Sequence, residues 1–259
     1  MTDSYAVLRN PINHAKSPAA ACAAVPYTAK MNKLVHSARA RRAAKPAAKK
    51  SSMAARTNDP ARTMSGIMEV AYQEFSEKGL SGARIDEIAA ATKTSKRMIY
   101  YYFGSKEGLY LAVLEESYRR VRATEAELHL DDLAPEDALR RLVGFTFDHH
   151  HGNEPYIRLV MSENIQRGQY LAQSKIIQEL NVPAIEAIRK LYQRGVEQGV
   201  FRSQLDPMDI HASISALTFF NVSNQHTFGL IFKRDTQAPQ AIMARRDSII
   251  EMVVRFARK

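Results

Sequence analysis

Beyond residue 58 the apolar positions recur with the period of an α-helix. Ile67, Val70, Ala71 and Phe75 share one face. Pro60 stands where a helix can begin, with Asn58 or Asp59 as its cap, and Gly79 followed by Leu80 has the form of a left-handed helix stop with its hydrophobic contact. A first helix over 60–78 is predicted. Ile85, Ile88 and Ala89 form the inward face of a short second helix, Lys93 and Thr94 suit a turn, and Ser95 can cap a third helix. In that helix Ile99 and Phe103 point inward at i and i+4, which leaves Lys96, Arg97, Tyr100 and Tyr101 for other surfaces. Ser105, Lys106 and Glu107 open a fourth helix, which Leu111, Leu114, Tyr118 and Val121 extend to about 127. Further helices are predicted at 134–150, 154–166, 172–199 with a kink at Pro183, 207–231 and 239–258. No strand alternation competes with them, so the expected fold class is all-α.

Charge divides the chain unevenly. Of its 37 basic and 27 acidic residues, 11 and 1 lie in residues 1–58, and the remainder is balanced. That leader is rich in Ala, Lys, Arg and Ser and lacks apolar periodicity, so it is expected to be a disordered basic arm. Such an arm either contacts nucleic acid through counterion release, or is a solvated tail or upstream sequence ahead of a start at Met53. The single cysteine, Cys22, excludes an internal disulfide framework. No apolar run reaches the roughly 20 residues that cross a bilayer. The expectation is a cytoplasmic protein without a membrane partner.

The run "KTSKRMIYYYFGSK" at 93–106 carries Lys93, Lys96, Arg97 and Lys106, three successive tyrosines and no acid. Two short helices across a tight turn form a helix-turn-helix, whose second helix enters a major groove. Long cations beside phenol hydroxyls suit phosphate oxygens and base edges.

The residues Gly79, "IDEIAAAT" at 85–92, "SKRMIYYYF" at 95–103 and "SKEGL" at 105–109 resemble the TetR family of bacterial transcriptional regulators in order and spacing. The resemblance covers roughly 60–115. It implies a helix-turn-helix DNA-binding domain at 59–106 and a larger helical effector-binding and dimerisation domain at 107–259. It further implies a homodimer on a double-stranded operator, released by a small-molecule effector, with no cofactor. DNA contacts are expected from Arg84, Thr94, Ser95, Lys96, Arg97, Met98, Tyr100, Tyr101 and Lys106, and Tyr102 is the tyrosine expected to pack inward. Position 84, often Thr in the family, is Arg84. Position 97, often Gly, is Arg97, which either reads a guanine or lies along phosphate.

In the C-terminal part, Phe145, His149, Tyr156, Met161, Asn164, Asn221 and Asn224 interrupt apolar helices and are the candidate effector contacts. The stripes Ile210, Ile214, Leu217 and Ile249, Ile250, Val253, Val254 are divided between core and a four-helix dimer interface of the last two helices, as the resemblance implies. "DHHHG" at 148–152 raises a metal-responsive alternative. Successive helical residues diverge by about 100°, and beyond Asp148 and His151 no third ligand is placed. No nucleophile and base stand at catalytic spacing, so no enzyme is expected.

Overall fold

A computed structural model describes residues 59–259; the predicted basic leader lies outside them. Helix α1 spans Pro60–Gly82. Asp59 caps it by accepting from the Ala61 amide at 3.1 Å, and Pro60 occupies the first turn, where no intrahelical donor is needed. Gly79 interrupts it at φ +65°, a conformation that costs a residue with a Cβ dearly. One more turn follows, and Leu80 is buried. The predicted stop is therefore present as a break within the helix.

Helix α2 (Ile85–Ala91) and helix α3 (Lys96–Phe103) cross through the turn at Lys93, which has φ +53°. Ser95 caps α3 by accepting from Met98 N, and Ser105 caps α4 (Lys106–Ala126) by accepting from Gly108 N at 3.0 Å. Ile67, Phe75, Ile88, Ile99, Leu109 and Leu114 close a core among these helices. Each is almost wholly buried. Hydrophobic burial of this kind, worth about 1.5–3 kcal/mol per large side chain, holds such short helices in place.

The remaining helices are α5 (Pro135–Gly152), α6 (Glu154–Ile165), α7 (Lys175–Glu197), α8 (Pro207–Ser223), α9 (Gln225–Phe232) and α10 (Pro239–Ala257). Leu159 of α6 and Ile177 of α7 enter the first core, so the helices after α4 also support the N-terminal unit. A second core joins α5, α7, α8 and α10 through Leu139, Leu142, Leu191, Ile214, Ile249 and Val254.

Two predicted helices differ. The segment 207–231 is two helices, because Asn224 leaves helical geometry at φ −112° and ψ 5°. The segment beginning at 172 opens with a 3-10 turn, Leu171–Gln173, and α7 starts only after Ser174, whose hydroxyl accepts from Ile177 N. Pro183 is exposed on α7, which continues through it.

The division of apolar stripes is also corrected. Ile210, Ile214, Ile249, Ile250, Val253 and Val254 are all buried within the protomer, and Leu217 is half-buried against the same core. The apolar side chains that α8, α9 and α10 leave exposed are others: Phe220, Leu230, Ile231, Phe232 and Met243 among them. No helix among the described residues is long and apolar enough to cross a membrane.

Candidate nucleic-acid interface and effector cavity

Ile99, fully buried, fixes which side of α3 faces out. Lys96 and Arg97 are exposed at the N-terminal end of α3, Tyr100 and Tyr101 are exposed along it, and Met98 is half-buried. Thr94 is half-buried, its amide donating to the Ala89 carbonyl at 3.0 Å, and Ser95 is spent on the cap. Tyr102 packs against the core, its ring centroid 5.3 Å from Tyr101 and 6.3 Å from Phe103, as expected of the inward tyrosine.

The acid-free run acquires a carboxylate through folding: Asp86 on α2 pairs with Lys96. Both side chains are about half exposed, so the pair contributes little stability but orients the ammonium. Lys106 Nζ lies 3.4 Å from the Ser81 carbonyl at the start of α4, beside the end of α1. Arg84 is exposed, and its amide donates to Glu74 Oε1 at 3.1 Å. Lys78 pairs with both Glu74 and Glu87 below this face. The result is a small surface of Lys96, Arg97, Tyr100 and Tyr101, flanked by Arg84 and Lys106. A cationic rim around directed hydroxyl donors matches a duplex backbone and its base edges.

A cavity of about 210 Å³ lies in the larger helical part, lined from α4, α5, α6, α7 and α8. Its walls are mainly rings and aliphatic groups: Tyr118, Val121, Phe145, Tyr156, Ile188 and Phe219. Several polar groups line it. Arg122 and Glu125, one turn apart on α4, form a mostly buried charge pair. Their contact lacks hydrogen-bond alignment, so Arg122 Nε and Nη1 and Glu125 Oε2 are left without a hydrogen-bond partner, as is His149 Nδ1.

Burial raises the Glu125 pKa, opposed by the Arg122 charge. Burial, then the Arg122 charge, hold His149 down at about 4. His150 is likewise held at about 4, chiefly by burial, and its Nδ1 shares a 2.9 Å hydrogen bond with Thr218 Oγ1. His211 is lowered by burial and Arg122, and burial raises the Tyr118 and Tyr156 phenols. The histidines and phenols are therefore uncharged near neutral pH.

Of the seven candidate effector contacts, Phe145, His149 and Tyr156 line this cavity. The other four do not. Met161 lines a separate cleft formed by α1, α6 and the junction of α8 with α9. Asn164 is exposed and donates to Val160 O at 2.9 Å; Asn221 donates to Leu217 O and accepts from Arg245 Nε at 3.0 Å; Asn224 donates to Ser223 Oγ at 2.8 Å. These amides are satisfied near their own helices and need no ligand. Sequence reasoning missed Tyr118, Arg122, Glu125, Asn181 and His211. Tyr118 and Val121 mark the inward side of α4, and Arg122 and Glu125 follow Val121 by one and four residues, the only signal that a charged pair lies there.

The histidine run diverges along α5. Asp148 accepts from Arg246 Nε at 2.7 Å and Nη2 at 2.9 Å, His149 faces the cavity, and His151 stacks on Phe147 with centroids 6.1 Å apart. Among the described residues no group of three or more His, Cys, Asp or Glu side chains converges on a point that could hold a metal ion.

Comparison with known proteins bears on both surfaces. Residues 67–113 match the family model described as bacterial regulatory proteins, tetR family. Residues 135–253 match a tetracyclin repressor-like C-terminal domain. The HTH-type transcriptional repressor NicS of Pseudomonas putida is 35% identical over 180 residues, covering 70% of this chain and 85% of that protein. The HTH-type transcriptional repressor SCO4008 of Streptomyces coelicolor is 35% identical over 145 residues, 56% of this chain and 71% of that protein. In fold, a bacterial regulatory protein in the tetR family from Rhodococcus RHA1 superposes with a TM-score of 0.61 at 21% identity, over 76% of this chain and 97% of that one.

Proposed function

The chain belongs to the TetR family of bacterial transcriptional regulators, and on that premise we propose that it is a homodimeric repressor released from an inverted-repeat operator by a small molecule. Residues 59–106 are assigned to DNA reading and 107–259 to effector binding and dimerisation, in the cytoplasm. Arg97 reads a guanine edge, Lys96 and Met98 lie against bases, and Tyr100, Tyr101, Arg84 and Lys106 hold the backbone. Thr94 and Ser95 present the turn to phosphate.

The observation that carries this reading is where the cavity lies. Helices α4 and α6 line it with Tyr118, Arg122 and Tyr156, and the same two helices pack against α1. A ligand that favours one arrangement of α4 and α6 thereby biases the orientation of the reading helix, which is the differential affinity that coupling requires. A dimer supplies the two-fold match to an inverted repeat.

Selection of duplex fragments by the purified full chain, followed by fluorescence anisotropy at several salt concentrations, tests the assignment. An enriched inverted repeat bound at least a thousand-fold more tightly than random duplex is the expected result. Equal affinity for both would end the reading.

A further inference from the structure

The cavity also constrains the chemistry of its ligand, an inference that rests on the effector reading above. Size comes first. A cavity of about 150 Å³ accepts benzene, so about 210 Å³ leaves room for one ring with small substituents. Shape comes next, because Tyr118, Phe145, Tyr156 and Phe219 present flat faces and edges that favour a planar guest.

Charge decides the class. Arg122 and Glu125 offset one another, and the surrounding imidazoles are neutral. An anionic guest would leave an unbalanced negative charge in a water-poor site, and a cationic guest an unbalanced positive one. What the pair lacks is hydrogen-bond alignment: Arg122 Nη1 and Glu125 Oε2 meet each other as an ion pair without a hydrogen bond, and Arg122 Nε is a buried donor with no hydrogen-bond partner, so a guest can supply an acceptor to the guanidinium and a donor to the carboxylate. The matching guest edge has an acceptor beside a donor.

We propose that the cavity binds an uncharged, planar nitrogen heterocycle with an amide-like edge, whose carbonyl accepts from Arg122 and whose adjacent N–H donates to Glu125. The ligand bridges the misaligned charge pair and satisfies both partners. A carboxylate of the same size, ionised near neutral pH, lacks the donor that Glu125 requires.

Isothermal titration of the full chain near neutral pH with 2-pyridone, benzoate and toluene separates the alternatives. The expected order places 2-pyridone at least ten-fold tighter than either of the others. Glu125→Gln removes the negative charge while keeping the shape, and is expected to narrow or reverse the preference for 2-pyridone over benzoate by ten-fold or more. The wild-type ranking alone decides the matter if that variant does not fold. Benzoate binding more tightly than 2-pyridone, toluene equalling it, or no binding by any of the three would overturn the proposal. Operator affinity measured with each probe keeps the two readings apart: release by benzoate alone overturns the ligand class and leaves the effector reading standing. Tight 2-pyridone binding with unchanged operator affinity does the reverse.

Discussion

Arg158 on α6 donates through Nε to the Ser76 carbonyl on α1 at 2.7 Å, and through Nη2 to the Glu77 carbonyl at 3.0 Å. It thus serves carbonyls just before the break at Gly79, where the helical ladder ends. Two residues earlier on the same helix, Tyr156 lines the cavity. One short helix therefore touches both the cavity and the support of the reading unit. Arg158→Ala removes two charge-assisted hydrogen bonds, and because the side chain is 44% exposed the loss is expected to be about 1 kcal/mol in urea unfolding. Operator affinity is expected to fall several-fold, and Arg158→Lys to restore less than half of it, since an ammonium does not reproduce the guanidinium fork. Wild-type operator affinity in Arg158→Ala would show that the clamp does not position α1.

Gly108 controls how α3 meets α4. A Cβ built there would stand 2.1 Å from the Phe103 carbonyl oxygen, an impossible separation for backbone that also carries the Ser105 cap. Gly108→Ala must push the two helices apart, at a cost of about 1–3 kcal/mol. The expected outcome is a loss of operator affinity greater than ten-fold with the helical circular dichroism retained. Full operator binding by Gly108→Ala would mean that this junction tolerates displacement.

Much of the N-terminal unit was legible because its signals are local: Ile67 and Phe75 by period, Gly79 by a glycine standing before an apolar Leu80, and Ser95 by its cap. The break at Asn224 was not, since apolar residues continue on both sides of it and only backbone geometry separates α8 from α9. The cavity was half legible. Phe145, His149 and Tyr156 stood out against apolar helices, but Asn164 and Asn221 stood out equally and turn their amides back to carbonyls one turn earlier. Arg122 and Glu125 carry no signal in the sequence beyond an i, i+3 charged pair, and only the fold, which closes them into the cavity wall, makes them mostly buried. Asp86 beside Lys96 likewise arises from the crossing of two helices.

On the proposed assignment the DNA face separates into base reading and backbone holding. Arg97→Ala is expected to relax base preference at one operator position, worth about 1–3 kcal/mol against the wrong base, whereas Lys106→Ala should weaken all sequences alike and lower the salt slope by about one. Asp86→Asn releases Lys96 from its partner and removes a negative charge near phosphate, so affinity for random duplex should rise. Equal losses on operator and random DNA for Arg97→Ala and Lys106→Ala would refute the division of roles.

The two buried histidines make stability depend on pH. His149 and His150 are held at about 4 in the fold, below the ordinary value of about 6.5 that the unfolded chain regains. As pH falls below about 6.5 the unfolded chain takes up protons that the folded one refuses. The stability conferred by the neutral imidazoles is complete above that pH and drains away toward 4. A loss on the order of 3 kcal/mol between pH 7 and pH 5 is expected for the pair, read from urea midpoints at the two values. His149→Phe suits the apolar wall, since His149 Nδ1 has no partner to lose, and should remove about half of that dependence. An unchanged slope in the variant would place the proton uptake elsewhere.

A face for the proposed dimer follows from what the protomer leaves uncovered. With the Ile210 and Ile249 stripes consumed by the core, the outward apolar groups of the last three helices include Phe220 at 44% exposure, Leu230 at 80%, Ile231 at 70% and Met243 at 66%. Phe220 connects α8 to α9, its ring 5.8 Å from Phe228, so a partner covering α8 and α10 would meet this aromatic at the edge of α9. Large apolar side chains at that density exceed what scattered surface residues require and suit an obligate contact. Phe220→Glu places a carboxylate into that contact at no cost to the protomer core, and the dimer is expected to weaken by about a hundred-fold or more in sedimentation equilibrium. Binding to the full operator should fall with it, while a single half-site retains its weak affinity, because each protomer keeps an intact reading helix. A wild-type chain monomeric at micromolar concentration, or a Phe220→Glu chain that dimerises as tightly as wild type, would move the interface to another surface.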